Sequence, residues 1–340
     1  MTKRVNLLND YNSPAHPCVL EAIARASGDK FVGYGEDGES DAARAALRSL
    51  LRSPDADIHF LVGGTQANLT AIGAFLRPHE AVIAPASAHI NTHETGAVEA
   101  TGHKILTVDR PDGKIGPADV QGIMGLHGDE HMVKPRLLFI SQSTEFGTVY
   151  TKAELAALRD VCDNNHLYLY IDGARLGYAL TAEKCDFELP ELCRIADAFY
   201  IGGTKNGLLF GEALVLCNPS LRDDFRYHMK QRGGLLAKGY LLGIQFQALF
   251  NDDLYFKMAR HANEMAQRLH QLLAASGYAF EIDTESNQLF PIVRKQDIPL
   301  LEEQILFNRW NALDGDRASI RLITTWNTTE QEIQEAARIL

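Results

Sequence analysis

Two short apolar runs, Leu167–Ile171 and Phe199–Ile201, each stop abruptly on a small, polar turn. The first ends in Asp172-Gly173-Ala174-Arg175 and the second in Gly202-Gly203-Thr204-Lys205. Short continuous apolar runs bounded by glycine, without polar alternation, read as strands buried on both faces. That pattern belongs to an α/β fold, a mostly parallel sheet flanked by helices. In such sheets ligands collect outside the carboxyl ends of the strands. An acid and a lysine 33 residues apart are therefore presented at one edge. A lysine able to form a Schiff base and an acid able to pair with a pyridinium nitrogen are the two fixed requirements of a pyridoxal phosphate (PLP) site.

The upstream chain extends the pattern. A strand over Ile58–Val62 leads into Gly63-Gly64-Thr65-Gln66-Ala67-Asn68, where a helix begins. Free backbone N–H groups and the helix dipole make such a start an anion site, and an ordinary glycine turn with a threonine cap accounts for the same residues. Further strands are expected over Ala81–Ala84, Lys104–Val108 and Pro135–Ile140, with helices over Asp41–Arg52, Ala153–Asn164 and Tyr240–Phe250. His89 follows one of these strands, where its ring could cover a cofactor, and Glu145 follows another. A strand over Gly211–Cys217 is expected to run against its neighbours.

The basic segment with Lys230, Arg232 and Lys238 flanks Gly233-Gly234. It reads either as a solvated cationic loop or as a phosphate contact reached from outside. From Asp252 a helix over Leu254–Ala275 is followed by strand-like Tyr278–Ile282, Gln288–Val293 and Ser319–Ile323 alternating with helices. The reading is a large PLP-binding domain over 1–250, whose segment 1–40 contributes to the active site, and a small C-terminal α+β domain over 251–340.

Several other readings fail. Gly33-Tyr34-Gly35-Glu36-Asp37-Gly38 matches the dinucleotide fingerprint, but a helix precedes it and its acids would repel a pyrophosphate. His89 and His93 share helical spacing, yet Ala97 stands where a zinc-binding H-E-x-x-H would need its second histidine. His127, Asp129, Glu130 and His131 read as solvated surface, so no metal is expected. A net charge of −11 argues against nucleic acid as a partner. The N-terminal stretch has no apolar core, and no run approaches the ~20 apolar residues that span a bilayer. Five cysteines without C-x-x-C spacing suit a reducing compartment, so the expected location is the cytoplasm.

Taken in order, Gly63-Gly64-Thr65-Gln66-Ala67-Asn68, Ala88-His89, Asp172-Gly173-Ala174-Arg175, Thr204-Lys205 and Ile320-Arg321-Leu322 span nearly the whole chain. Together they resemble the threonine aldolase family of fold-type I, PLP-dependent beta-eliminating lyases. Asn9-Asp10 and Tyr34-Gly35-Glu36-Asp37 resemble it too. The resemblance implies that Lys205 joins the cofactor, Asp172 holds the pyridinium proton, His89 stacks on the ring, and Gly64 and Thr65, with Thr204 beside Lys205, complete the cofactor site. It implies that Arg175 and Arg321 grip a substrate carboxylate, helped by Asn9 and Tyr34. It also implies that Lys230, Arg232 and Lys238 reach a neighbouring subunit's phosphate, in a homodimer or homotetramer with shared sites.

The sequence departs from the family at Glu145, where members commonly carry a histidine. That histidine is a candidate base for the substrate's β-hydroxyl, a role that Glu145, or His89, could take here. The implied activity is cleavage of L-threonine or L-allo-threonine to glycine and an aldehyde. The alternatives within the fold are a β-eliminating lyase or an aminotransferase; a non-catalytic PLP-binding protein is the alternative of a different class.

Overall fold

The computed structural model describes residues 4–340, so the first three residues of the N-terminal stretch lie outside the described residues. The strands in chain order are β1 (Val5–Asn6), β2 (Asp57–Leu61), β3 (Glu80–Pro85), β4 (Ile105–Val108), β5 (Lys134–Ser141), β6 (Tyr168–Asp172) and β7 (Ala198–Gly202). They continue with β8 (Glu212–Leu216), β9 (Gln288–Leu289), β10 (Ile292–Arg294), β11 (Ile305–Leu306), β12 (Asn308–Ala312) and β13 (Arg317–Ile323).

Seven of them form one sheet in the order β2-β8-β7-β6-β5-β3-β4. The pairs β7–β6, β6–β5, β5–β3 and β3–β4 are parallel, whereas β8 is antiparallel to both β7 and β2. Six strands thus point one way and β8 alone points back, as its place after Lys205 foretold.

Alternation along each strand supplies two cores, one per face. In β7, Phe199 and Ile201 pack into one cluster with Ile58, Leu138, Ile171 and Val215. Ala198 and Tyr200 face the other way, into a cluster with Ala71, Val82, Phe139 and Leu214. The helix Lys152–Asn165 shows how the flanking layer is fixed. Thr151 and Glu154 form a reciprocal capping box at its start, and Leu155, Leu158, Val161 and Cys162 are its buried side. Loss of such a cap costs about 1 kcal/mol.

The helix Leu254–Ala275 links two cores: Tyr255 and Met258 pack into the sheet core, while Ala266, Leu269 and Leu273 belong to a third cluster. That cluster also contains Val5 and Leu7, because β1 pairs in parallel with β11. The N-terminal segment is therefore anchored on C-terminal residues through β11, and this brings residues near position 10 to the sheet edge.

Two local expectations change. Tyr278–Ile282 is not a strand; it makes only a bridge between Phe280 and Pro291. Pro291 lacks an N–H, and the expected strand Gln288–Val293 divides around it into β9 and β10. The edge strand β12, Asn308–Ala312, was hidden by its polar, half-exposed sequence.

Candidate active site

Five of the strand ends read from the sequence converge on one cavity of about 220 Å³. Gly63, Gly64 and Thr65 enter from the end of β2, His89 from β3, Glu145 from β5, Asp172 and Arg175 from β6, and Thr204 and Lys205 from β7. A larger cleft of about 530 Å³ lies between the helices around Ala22, Ala46 and Ile244. It brings together no lysine, and the chemistry belongs to the smaller cavity.

Glycine makes the close approach of β6 and β7 possible. A Cβ on Gly173 would lie 1.7 Å from the Tyr200 carbonyl oxygen, and one on Gly202 would lie 2.5 Å from that of Ala174. The two turns can therefore cross only without side chains, which seats Asp172 and Lys205 in one cavity.

Asp172 is buried with both oxygens bonded. Oδ1 accepts from the Tyr200 hydroxyl at 2.5 Å and from the Ala174 N–H at 3.0 Å. Oδ2 accepts from Asn68 Nδ2 at 3.0 Å. Tyr170 in turn donates to Asn68 Oδ1 at 3.1 Å, and Asn68 also donates to Glu94 at 2.8 Å. The same Glu94 oxygen lies 2.8 Å from His89 Nδ1, which fixes the orientation of the imidazole. Glu94, Asn68 and Tyr200 are supporting residues that sequence reasoning did not assign. Asn68 was visible in the Gly63–Asn68 motif, but its reach across to Asp172 is a tertiary fact.

The helix Gly64–Phe75 begins on Gly63 with no side-chain cap. Its first-turn N–H groups are therefore left to an anion, as the helix dipole favours. A Cβ on Gly64 would lie 3.0 Å from the Tyr200 hydroxyl, so the backbone itself lines this end of the cavity.

Lys205 is held below the usual lysine range, first by its removal from water and then by the Arg175 charge, with Asp10, Asp172 and Glu212 opposing. An amine so placed is more readily neutral and nucleophilic. Helix start, fixed acid and lysine together meet the demands of PLP: a phosphate anchor, a partner for the ring nitrogen and an amine for the aldehyde.

The opposite side carries the cations. Arg175 donates through Nε and Nη2 to Asp10 at 2.8 and 3.0 Å, and Asn287 donates to the same carboxylate at 3.1 Å. Burial pushes the Asp10 carboxyl up, but Arg175 and Lys205 overcome it and hold it below the usual range. Arg321 has no carboxylate partner among the described residues: its guanidinium lies 4.7 Å from the Trp310 ring centre, and its Nε is buried and unbonded. Burial and the neighbouring Arg175 push it down to about 10.

Glu145 is buried. Its Oε1 accepts from Ser141 Oγ at 2.8 Å and from the His89 N–H at 3.0 Å, while Oε2 has no partner. Burial, reinforced by the Asp172 charge, raises its pKa above the usual carboxyl range.

Arg321 does not itself line the cavity, and the remaining predicted residues also lie outside it. Asn9 accepts from the Tyr11 N–H at 3.0 Å, and it is its neighbour Asp10 that reaches Arg175. Tyr34 is exposed, with Lys230 Nζ 4.5 Å from its ring centre. Arg232 packs beside Gly73 on the helix Gly64–Phe75, and Lys238 is exposed. Among the described residues no group of His, Cys, Asp and Glu is arranged to hold a metal ion.

This sheet order, with a lysine and a buried acid at one edge, is the architecture of the fold-type I enzymes. A double mutant of Thermus thermophilus aspartate aminotransferase shares it with a TM-score of 0.73 over 99% of this chain and 92% of that one, at 18% identity, a likeness of fold alone. The chain belongs to the beta-eliminating lyase family, whose model matches residues 6–296. A Pseudomonas aeruginosa low specificity L-threonine aldolase is 32% identical over 97% of this chain and 95% of its own length. The Escherichia coli enzyme of the same description is 26% identical over 98% of this chain and 97% of its own. A solved structure of Leishmania major threonine aldolase is 44% identical, with a TM-score of 0.97 and coverage of 98% of both chains.

Proposed function

We propose that this chain is a PLP-dependent aldolase that splits L-threonine, L-allo-threonine and related β-hydroxy-α-amino acids into glycine and an aldehyde. The observation that carries the reading is Glu145: a buried carboxylate with one oxygen tied down and the other unbonded, in the same cavity as Lys205. An aldolase needs a base for the β-hydroxyl proton, and a carboxyl raised by burial is suited to that task.

Asp172 would face the ring nitrogen, Gly64 and Thr65 the phosphate, and Lys205 the aldehyde carbon. When bound, the cofactor supplies an electron sink for the pair released at Cα. Arg321, with its free guanidinium edge, binds the substrate carboxylate, and Arg175, steadied by Asp10, supports it. Fixing that carboxylate orients the Cα–Cβ bond, a positioning effect. Glu145 takes the hydroxyl proton as Cβ becomes the aldehyde carbon. His89, held by Glu94, covers the ring face.

Lys230, Arg232 and Lys238 sit outside the cavity, which supports a homodimer or homotetramer in which the basic segment serves a neighbouring site. A large unit over 1–250 and a small one over 251–340 remain the proposed domains, with segment 1–40 lending Asp10 to the site. The absence of any described helix long and apolar enough to cross a membrane is consistent with a cytoplasmic enzyme.

Incubation with each threonine diastereomer, with and without added PLP, tests the proposal. The expected products are glycine and acetaldehyde in equal amounts. Keto acid with ammonia would make the protein a β-eliminating lyase instead, and a requirement for an amino acceptor would make it an aminotransferase.

A further inference from the structure

One buried carboxyl takes no part in that chemistry. Glu212 opens β8, the strand that runs against the other six, so the start of β8 falls at the edge where they end. Glu212 is 3% exposed and lines the same cavity as Lys205 and Asp172. Its Oε2 accepts from the Gly203 N–H at 3.0 Å, and the Thr204 hydroxyl stabilises its charge. The Gly203 and Thr204 N–H groups each donate to the Gly211 carbonyl at 3.1 Å, and the Gly211 N–H donates to Thr204 Oγ1 at 3.0 Å. The first residues of β8 are thereby stitched to the turn that carries Lys205. The titratable groups facing Glu212 are Lys205, Asp172, Tyr170, Tyr200 and Tyr255, and Lys205 is the cation among them.

We propose that Glu212 is a positioning residue for Lys205, holding its turn through Gly203 and favouring, by its negative charge, the protonated state of the Lys205 nitrogen. The charge acts through space, since the two side chains form no ion pair. The sign follows directly. An anion beside a basic nitrogen raises its proton affinity, whether that nitrogen is free or joined to the cofactor. Burial pushes the Glu212 carboxyl up to about 8, so this support is present above that range and fades as the pH falls and Glu212 takes up a proton. The two groups therefore titrate together.

The proposal rests on Lys205 as the residue that joins PLP, and the test separates the two ideas. The cofactor-loaded enzyme, without substrate, is titrated with pH while its visible absorption is followed. Glu212→Gln keeps an acceptor for the Gly203 N–H but removes the charge; its spectral midpoint is expected roughly one pH unit below that of the unmodified enzyme. Glu212→Asp keeps the charge and is expected to stay within a few tenths of a unit of the unmodified midpoint. In the unmodified enzyme the curve is expected to be broader than a single-proton titration, a measurement that needs no variant. An unmoved midpoint in loaded Glu212→Gln, a shift in Glu212→Asp as large as in Glu212→Gln, or a single-proton curve in the unmodified enzyme would each overturn it. Failure of the PLP reading itself would look different, with no visible band in any form of the protein.

Discussion

Asp172 and Glu145 are both buried carboxyls in one cavity, at the ends of neighbouring strands, and they are built in opposite ways. Asp172 has both oxygens bonded, by Tyr200, Ala174 and Asn68. Glu145 has one oxygen tied to Ser141 and the His89 N–H and the other bare. Three donors that fix both oxygens suit an acid that must hold one orientation opposite a ring nitrogen. A desolvated carboxyl with a free lone pair suits one that must accept a proton and release it again. The same contrast separates the two arginines: Arg175 is paired with Asp10 through Nε and Nη2, while Arg321 has no carboxylate partner among the described residues and its Nε is unbonded. The cofactor half of the site is finished before anything binds, and the substrate half is completed by the substrate.

Perturbations should divide along that line. The largest effect belongs to Lys205→Ala, expected to lower turnover by at least about three orders of magnitude. It should also abolish covalent attachment of the cofactor, checked by borohydride reduction and mass spectrometry. On the substrate side, Glu145→Gln is expected to lower kcat for threonine about 10²- to 10⁴-fold, the usual worth of a general base, with cofactor content unchanged. Arg321→Leu removes a charge-assisted grip and should raise KM about 10²-fold, more than it lowers kcat. Steady-state kinetics with a spectroscopic assay of bound PLP would break the comparison if either substrate-side variant lost the cofactor.

The pH profile sharpens it further. Burial and Asp172 raise the Glu145 pKa, and the base must be ionised to act. Activity should therefore fall, as the pH is lowered, above the ordinary carboxyl range, and Glu145→Gln should erase that limb. The smallest effect belongs to Tyr200→Phe, which leaves Asp172 two of its three partners. A several-fold weaker hold on PLP with little change in KM for threonine is expected, read by cofactor dialysis and kinetics.

Much of this was legible in the chain itself. Continuous apolar runs ending in Asp172, Lys205, Gly63 and Glu145 specified a parallel sheet and the edge at which its chemistry gathers. The reversed strand was readable because Gly211–Cys217 follows Lys205 too soon for a crossover helix. What escaped was information carried by tertiary contact. Glu94, Asn68 and Tyr200 act on residues 5 to 104 positions away, and nothing in their local patterns marks the reach. Asp10 stood beside Asn9, but only the pairing of β1 with β11 sets it against Arg175. Glu212 looked like the start of an ordinary strand; its burial beside Lys205 follows from the direction of β8. The C-terminal unit was the least legible part, since β12 is polar and Pro291 cuts the run that holds β9 and β10.

The division of labour between the two carboxyls can be tested on one variant. Exchange of the α-proton of glycine in D2O uses the cofactor residues and the carboxylate grip but no β-hydroxyl base, whereas threonine cleavage needs that base as well. Glu145→Gln is expected to keep glycine exchange within a few-fold of the unmodified enzyme while cleavage falls about 10²- to 10⁴-fold. Equal loss of both activities would contradict the account, because Glu145 would then belong to the finished half of the site.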